Sequence, residues 1–153
     1  MNIKHLFVAS FVALSVVGTA NAETLPANTM IVVTPVSEIT SIKMKEGDAA
    51  AFQVVNDVVE KGTVIIPRGT PVKGTITWRT GKGIGGKSAK FEVTFNSVNV
   101  AGRDWALRGS HRQEGRGNTM AALLGSMIIS GKSAVMTSGQ LVNCFTAEPI
   151  VIN

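Results

Sequence analysis

The sequence predicts an all-β fold, a small antiparallel barrel or sandwich with one short helix, and three observations carry that expectation. Apolar and polar residues alternate over Val72–Arg79 and again over Phe91–Asn96, the pattern of strands with one wet face. The 16 glycines and 5 prolines divide the chain into short stretches, as turns between strands require. Few helical segments intervene between those stretches, which argues against a parallel α/β sheet.

The first element is not part of the fold. Residues 1–22 carry Lys4 and His5 in a short polar head, continue through an apolar run from Leu6 to Gly18, and end in Ala20-Asn21-Ala22. Small residues at that spacing predict a secretory signal peptide cleaved between Ala22 and Glu23, with an uncleaved membrane helix as the alternative. No cysteine lies near that site to carry a lipid anchor. Residues 23–153 are then expected to form a single β-rich periplasmic domain without a transmembrane span. Such a domain is large enough to bury a core unaided. Cys144 is the only cysteine, so no bridge forms within the chain, and its strand-like neighbours suggest a buried apolar role. The formal charge of +5 falls to +4 with the loss of Lys4, an excess compatible with lipid headgroups, anionic glycans or acidic partners.

Met30–Thr34 follows a turn-rich lead and is apolar on both parities, which suits a strand covered on both sides. Ile42 and Met44 alternate with Lys43 and Lys45, Gly47-Asp48 turns the chain, and Ala51–Val59 is β-prone. Val64–Ile66 ends at Pro67-Arg68-Gly69, where proline removes a donor and sets a turn. In the next strand Val72, Gly74, Ile76 and Trp78 share one face. In the strand after it the apolar parity shifts from Phe95 to Val98, predicting a bulge near Asn96-Ser97. Ala101–Asp104 reads as a hairpin turn leading to a return strand with Trp105 and Leu107. Gly109–Asn118 lacks periodicity and reads as a loop. Asn118 or Thr119 caps an expected helix ending at Ile129, too short to cross a bilayer. Ser133–Met136 and Leu141–Ile152 supply the final strands, broken by Pro149.

Gly81–Ser88 matches the phosphate-loop pattern G-x4-G-K-S, but that loop needs a helix behind it to surround the phosphates. The alternating residues 89–95 predict a strand there, so no nucleotide is expected. A different chemistry follows from the charges. Between Glu60 and Glu92 every charged residue is a cation, and Arg79, Lys82, Lys87 and Lys90 form a candidate anion-binding rim, with Arg103, Arg108, Arg112 and Arg116 as neighbours if the chain folds suitably. A plain solvated surface is the competing reading. The placement of Trp78 and Trp105 on apolar strand faces argues against nucleic acid, which needs aromatic stacking. His111, the one histidine after cleavage, has no carboxylate or cysteine cluster at ligand spacing, so neither a metal nor any other cofactor is expected. Ser110-His111 and the carboxylates Glu46, Asp48, Asp57, Glu60 and Glu92 form no recognisable catalytic constellation.

Leu25–Thr29, Asn56–Val59, Val64–Thr70, Val72–Gly74, Phe91–Val98 and Gly102–Leu107 resemble, in the same order, the C-terminal β-barrel of the scaffold family that spans both membranes in type IV secretion and conjugation machines. The chain is similar, more closely still, to small exported bacterial proteins of unknown function with the same turn motifs. The resemblance implies a barrel fold, an envelope location, turn roles for Pro67 and Gly69 and a strand-packing role for Gly74. It implies no catalytic residue. The family's membrane anchor and proline-rich spacer have no counterpart in residues 23–153, and Met120–Ile129 stands where that family carries its pore-forming helical hairpin.

These observations lead to an expected function, a non-enzymatic periplasmic module that binds or braces an envelope protein, with a possible secretion or conjugation link and Met120, Leu124 and Ile128 as the docking face. The alternative is a small barrel whose basic rim binds an anionic lipid or glycan. An enzyme acting on cell-wall material is the third reading, for which His111 or a carboxylate would have to be essential.

Overall fold

A computed structural model describes residues 22–83, 87–115 and 132–152. The strands, in chain order, are β1 (Glu23–Leu25), β2 (Met30–Pro35), β3 (Ile39–Thr40), β4 (Ala49–Val54), β5 (Val58–Glu60), β6 (Thr63–Ile66) and β7 (Pro71–Thr80). They continue as β8 (Lys90–Val100), β9 (Arg103–Arg108), β10 (Ser110–Glu114), β11 (Val135–Met136), β12 (Val142–Thr146) and β13 (Ile150–Ile152). All the pairings are antiparallel.

Seven strands make the main sheet, in the order β10-β8-β7-β4-β2-β12-β9. The long strand β8 is shared, its first half pairing with β10 and its second half with β9. The sheet therefore curls, and β9 meets β12 through Phe145–Arg108 and Thr146–Leu107. Beyond that contact Gly109, at φ 118, separates β9 from β10, and β10 stays with β8 while β12 runs along β2.

Two expectations are thereby corrected. The sheet does not close into a barrel, because among the described residues β10 is an open edge. Nor is it a sandwich, because the other six strands form three separate ribbons, β1-β13, β11-β3 and β5-β6. There is no helix among the described residues, and the expected helix at Met120–Ile129 falls outside them. No described helix is long and apolar enough to cross a membrane.

The core follows from the period-two faces. Ala50, Phe52 and Val54 of β4, Val72 and Ile76 of β7, Phe91, Val93, Phe95 and Val98 of β8, and Ile31 and Val33 of β2 are all buried. Phe52 and Phe95 meet edge to face, with ring centroids 5.1 Å apart. Gly74 leaves room for the Phe52 ring, whose Cε2 would stand 3.2 Å from a Cβ there. The β8–β9 hairpin turns at Ala101 (φ 51) and Gly102 (φ 78), a left-handed pair whose twist matches that of its strands. Asn96 is unpaired between Ser97, opposite Lys73, and Phe95, opposite Gly74, so the bulge expected near Asn96-Ser97 is present. The expected loop at Gly109–Asn118 contains β10 instead. Its core-facing positions, opposite buried Val93 and Phe91, hold His111 and Gln113, which is why no apolar alternation marks it.

Candidate functional site

The open end of the main sheet is shaped by a second bulge. Ile76 pairs with Val93, but Trp78 pairs with Glu92, leaving Thr77 as the extra residue of β7. Thr77 faces outward and shares a hydrogen bond with Thr94, Oγ1 to Oγ1, at 3.0 Å. The next residue, Trp78, then also faces outward, with its cross-strand partner Glu92. A bulge re-aims the side chains that follow it, and here it corrects the expectation that Trp78 lies on the apolar face. Arg79, opposite the buried Phe91, takes the core-facing parity instead.

Three strands contribute to the outer face. One row is Trp78, Glu92 and Arg112, and the next is Thr80, Lys90 and Glu114. Arg112 reaches across its row, with one guanidinium nitrogen 3.1 Å from Glu92 Oε2 and its central carbon 4.6 Å from the Trp78 ring centroid. Such a cation–π contact contributes about 0.5–1 kcal/mol at an exposed site and holds the indole in place. Lys90 forms an ion pair with Glu114, and its backbone N–H donates to Thr80 Oγ1 at 3.1 Å.

The described ends of the β7–β8 connection flank these rows. Gly83 N–H donates to the Lys87 carbonyl at 2.9 Å, so Lys87 and Ser88 return beside Trp78. They bound a cleft of about 620 Å3 walled by Trp78, Thr80, Lys87, Ser88, Lys90 and Glu114, with Gly81 and Gly83 at its rim. The volume lies within the range of ligand sites, roughly 300–1,000 Å3. Ser88 Oγ is shielded from solvent and has no hydrogen-bond partner among the described residues. Lys87 has no ion-pair partner there either.

The four predicted rim cations are thus divided. Lys87 and Lys90 line the cleft, Lys90 already paired. Lys82 stands exposed on the connection without lining it. Arg79 lies off the cleft, its backbone N–H donating to Glu46 Oε1 at 3.2 Å. Of the residues named as neighbours, Arg112 belongs to the site, whereas Arg103 stacks over Trp105, 4.1 Å from the ring centroid. The predicted docking residues Met120, Leu124 and Ile128 lie outside the described residues. Glu114 and Arg112 complete the site through β10, which hydropathy alone did not reveal.

Gly81–Ser88 joins two strands, and where a phosphate loop would lead into a helix this chain has β8.

No protein-family model matches this chain, and no curated protein matches it.

Two other places on the molecule have their polar groups already occupied. A second cleft, of about 490 Å3 over β4, β7 and β8, has Lys73 as its charged wall residue, and Lys73 is occupied by Asp104 at 2.6 Å. On the core side of β10, Gln140 Nε2 donates to Gln113 Oε1 at 2.7 Å, and His111 Nε2 lies 3.3 Å from the same oxygen. That cluster satisfies itself. Among the described residues no group of three His, Cys, Asp or Glu side chains converges as metal ligands.

Proposed function

We propose that this chain is a non-enzymatic, extracytoplasmic binding module that holds an anionic component of the cell envelope in the Trp78 cleft. The observation that carries the reading is the Thr77 bulge, which turns a large aromatic ring outward beside Lys87, a cation with no described carboxylate partner. An aromatic wall with a few convergent polar groups is the common composition of a binding cleft. The extracytoplasmic part rests on the sequence of residues 1–22. N-terminal sequencing of the periplasmic protein should therefore begin at Glu23.

Binding is tested by co-sedimentation with phosphatidylglycerol vesicles and with purified peptidoglycan. The expected result is retention on at least one of the two, weakened by salt and lost in the Lys82→Gln/Lys87→Gln double variant. Retention that is indifferent to both salt and the double variant would overturn the proposal.

A further inference from the structure

Building on that binding reading, we infer that the ligand of the Trp78 cleft is an acidic saccharide, with a sugar ring packed against the indole and one negative group held by Lys87. The charge balance of the walls supports a single negative charge. Lys90 is bound to Glu114 and Arg112 to Glu92, which leaves Lys87 as the lining cation with no described partner. A densely charged polyanion would meet the Glu114 carboxylate in the cleft wall at close range, where like charges repel.

The remaining wall groups suit hydroxyls. The Glu114 carboxylate accepts hydrogen bonds, the Thr80 hydroxyl can donate one, and Ser88 Oγ has its full capacity unused among the described residues. A pyranose ring offers donors and acceptors together around its rim and an apolar C–H face for an indole. A lipid headgroup would bring the charge, but its acyl chains would need apolar surface beside the cleft. Among the described residues no exposed large apolar side chain stands on β7, β8 or β10; Met30 and Phe145 are on β2 and β12, and Val59 and Val64 are on the β5–β6 ribbon.

Calorimetric titration of the purified protein tests this with an N-acetylglucosamine–N-acetylmuramic acid disaccharide, which carries one carboxylate. Neutral diacetylchitobiose, inorganic phosphate, phosphatidylglycerol vesicles and an oligothymidylate serve as comparisons. The acidic disaccharide should bind about tenfold or more tightly than the chitobiose or phosphate. Lys87→Gln should remove that margin, and Trp78→Leu should remove binding to both sugars. Ser88→Ala, a smaller change, should weaken both sugars alike and keeps the test decisive if Trp78→Leu unfolds. Phosphate or vesicle binding that depends on Lys87, with the disaccharide silent, would overturn the saccharide and leave the anion-binding proposal standing. Tighter binding of the oligothymidylate would overturn it in favour of nucleic acid. Silence with every probe would overturn both.

Discussion

Gly74→Ala places a methyl group where the main sheet has no space for one. An ideal Cβ at that position would stand 3.0 Å from Val93 Cγ1, 3.2 Å from Phe52 Cε2 and 3.2 Å from the Thr94 carbonyl oxygen. Two of those neighbours cannot retreat, since Phe52 and Val93 are 1% and 0% exposed, and Phe52 is wedged against Phe95. The third is backbone, fixed between β7 and β10 by the pairs Thr75–Thr94 and Ser110–Thr94. Overpacking of this kind costs about 1–3 kcal/mol, which for a domain of this size lowers Tm by about 3–12 °C. Urea and thermal unfolding followed by circular dichroism measure the loss. Gly81→Ala is the control, because a Cβ there meets nothing within 4 Å and should leave stability unchanged or raise it by up to about 1 kcal/mol. A Gly74→Ala protein as stable as its parent, or a Gly81→Ala protein equally damaged, would refute the packing argument.

Three further outcomes follow from buried and paired groups. Burial pushes the Cys144 thiol up to about 12, whereas an unfolded thiol ionises near about 8.5. The stability this shift contributes is complete below the unfolded value and is lost as pH rises toward the folded one. Urea stability should therefore fall more steeply above about pH 8.5 in the parent than in Cys144→Ala, and identical pH profiles would contradict the burial. Thr146, fully buried, accepts from Thr29 N–H at 2.9 Å and donates to the Pro26 carbonyl at 2.9 Å. Thr146→Val strands the Thr29 N–H, while the Pro26 carbonyl keeps the Thr29 hydroxyl at 2.7 Å; it costs about 1–3 kcal/mol and should speed amide exchange at Thr29, and unchanged exchange there would count against it. The Asp104 carboxyl is held below its usual value first by the Lys73 hydrogen bond and then by Asn99. Its contribution is present above the unfolded carboxylate range and is lost as pH falls through the folded value. Asp104→Asn should accordingly flatten the acid limb of the stability profile, less so in high salt, and an unaltered limb would contradict the pairing.

The residues that made the fold legible were those whose environment changes with every second position. β7, β8 and β9 have one buried and one wetter face, so their alternation, and even the parity slip at Asn96, could be read directly from the sequence. β10 could not, because its core-facing positions are His111 and Gln113, which Gln140 rather than apolar packing accommodates. The barrel expectation failed for a related reason. Closure depends on which distant strands pair and over what length, as where β9 meets β12 through only two residue pairs, and hydropathy does not record it.

At the site, the cations of the β7–β8 connection were visible as a run of like charge. Their division into a cleft-lining Lys87, a paired Lys90, an outlying Lys82 and a displaced Arg79 depends on one extra residue, Thr77. Continuing the alternation through that residue assigns Trp78 to the wrong face. The slip leaves no trace in the sequence, because Thr77, Trp78 and Arg79 fit either parity until the pairing with Glu92 is known.

The most direct test of the account is a heteronuclear NMR titration of the protein with the acidic disaccharide. The Trp78 indole N–H and the amides of Lys87, Ser88 and Glu114 should shift together and saturate at one ligand concentration, with Trp105 unmoved. Saturable shifts centred elsewhere, or none at this cluster at any concentration, would contradict it.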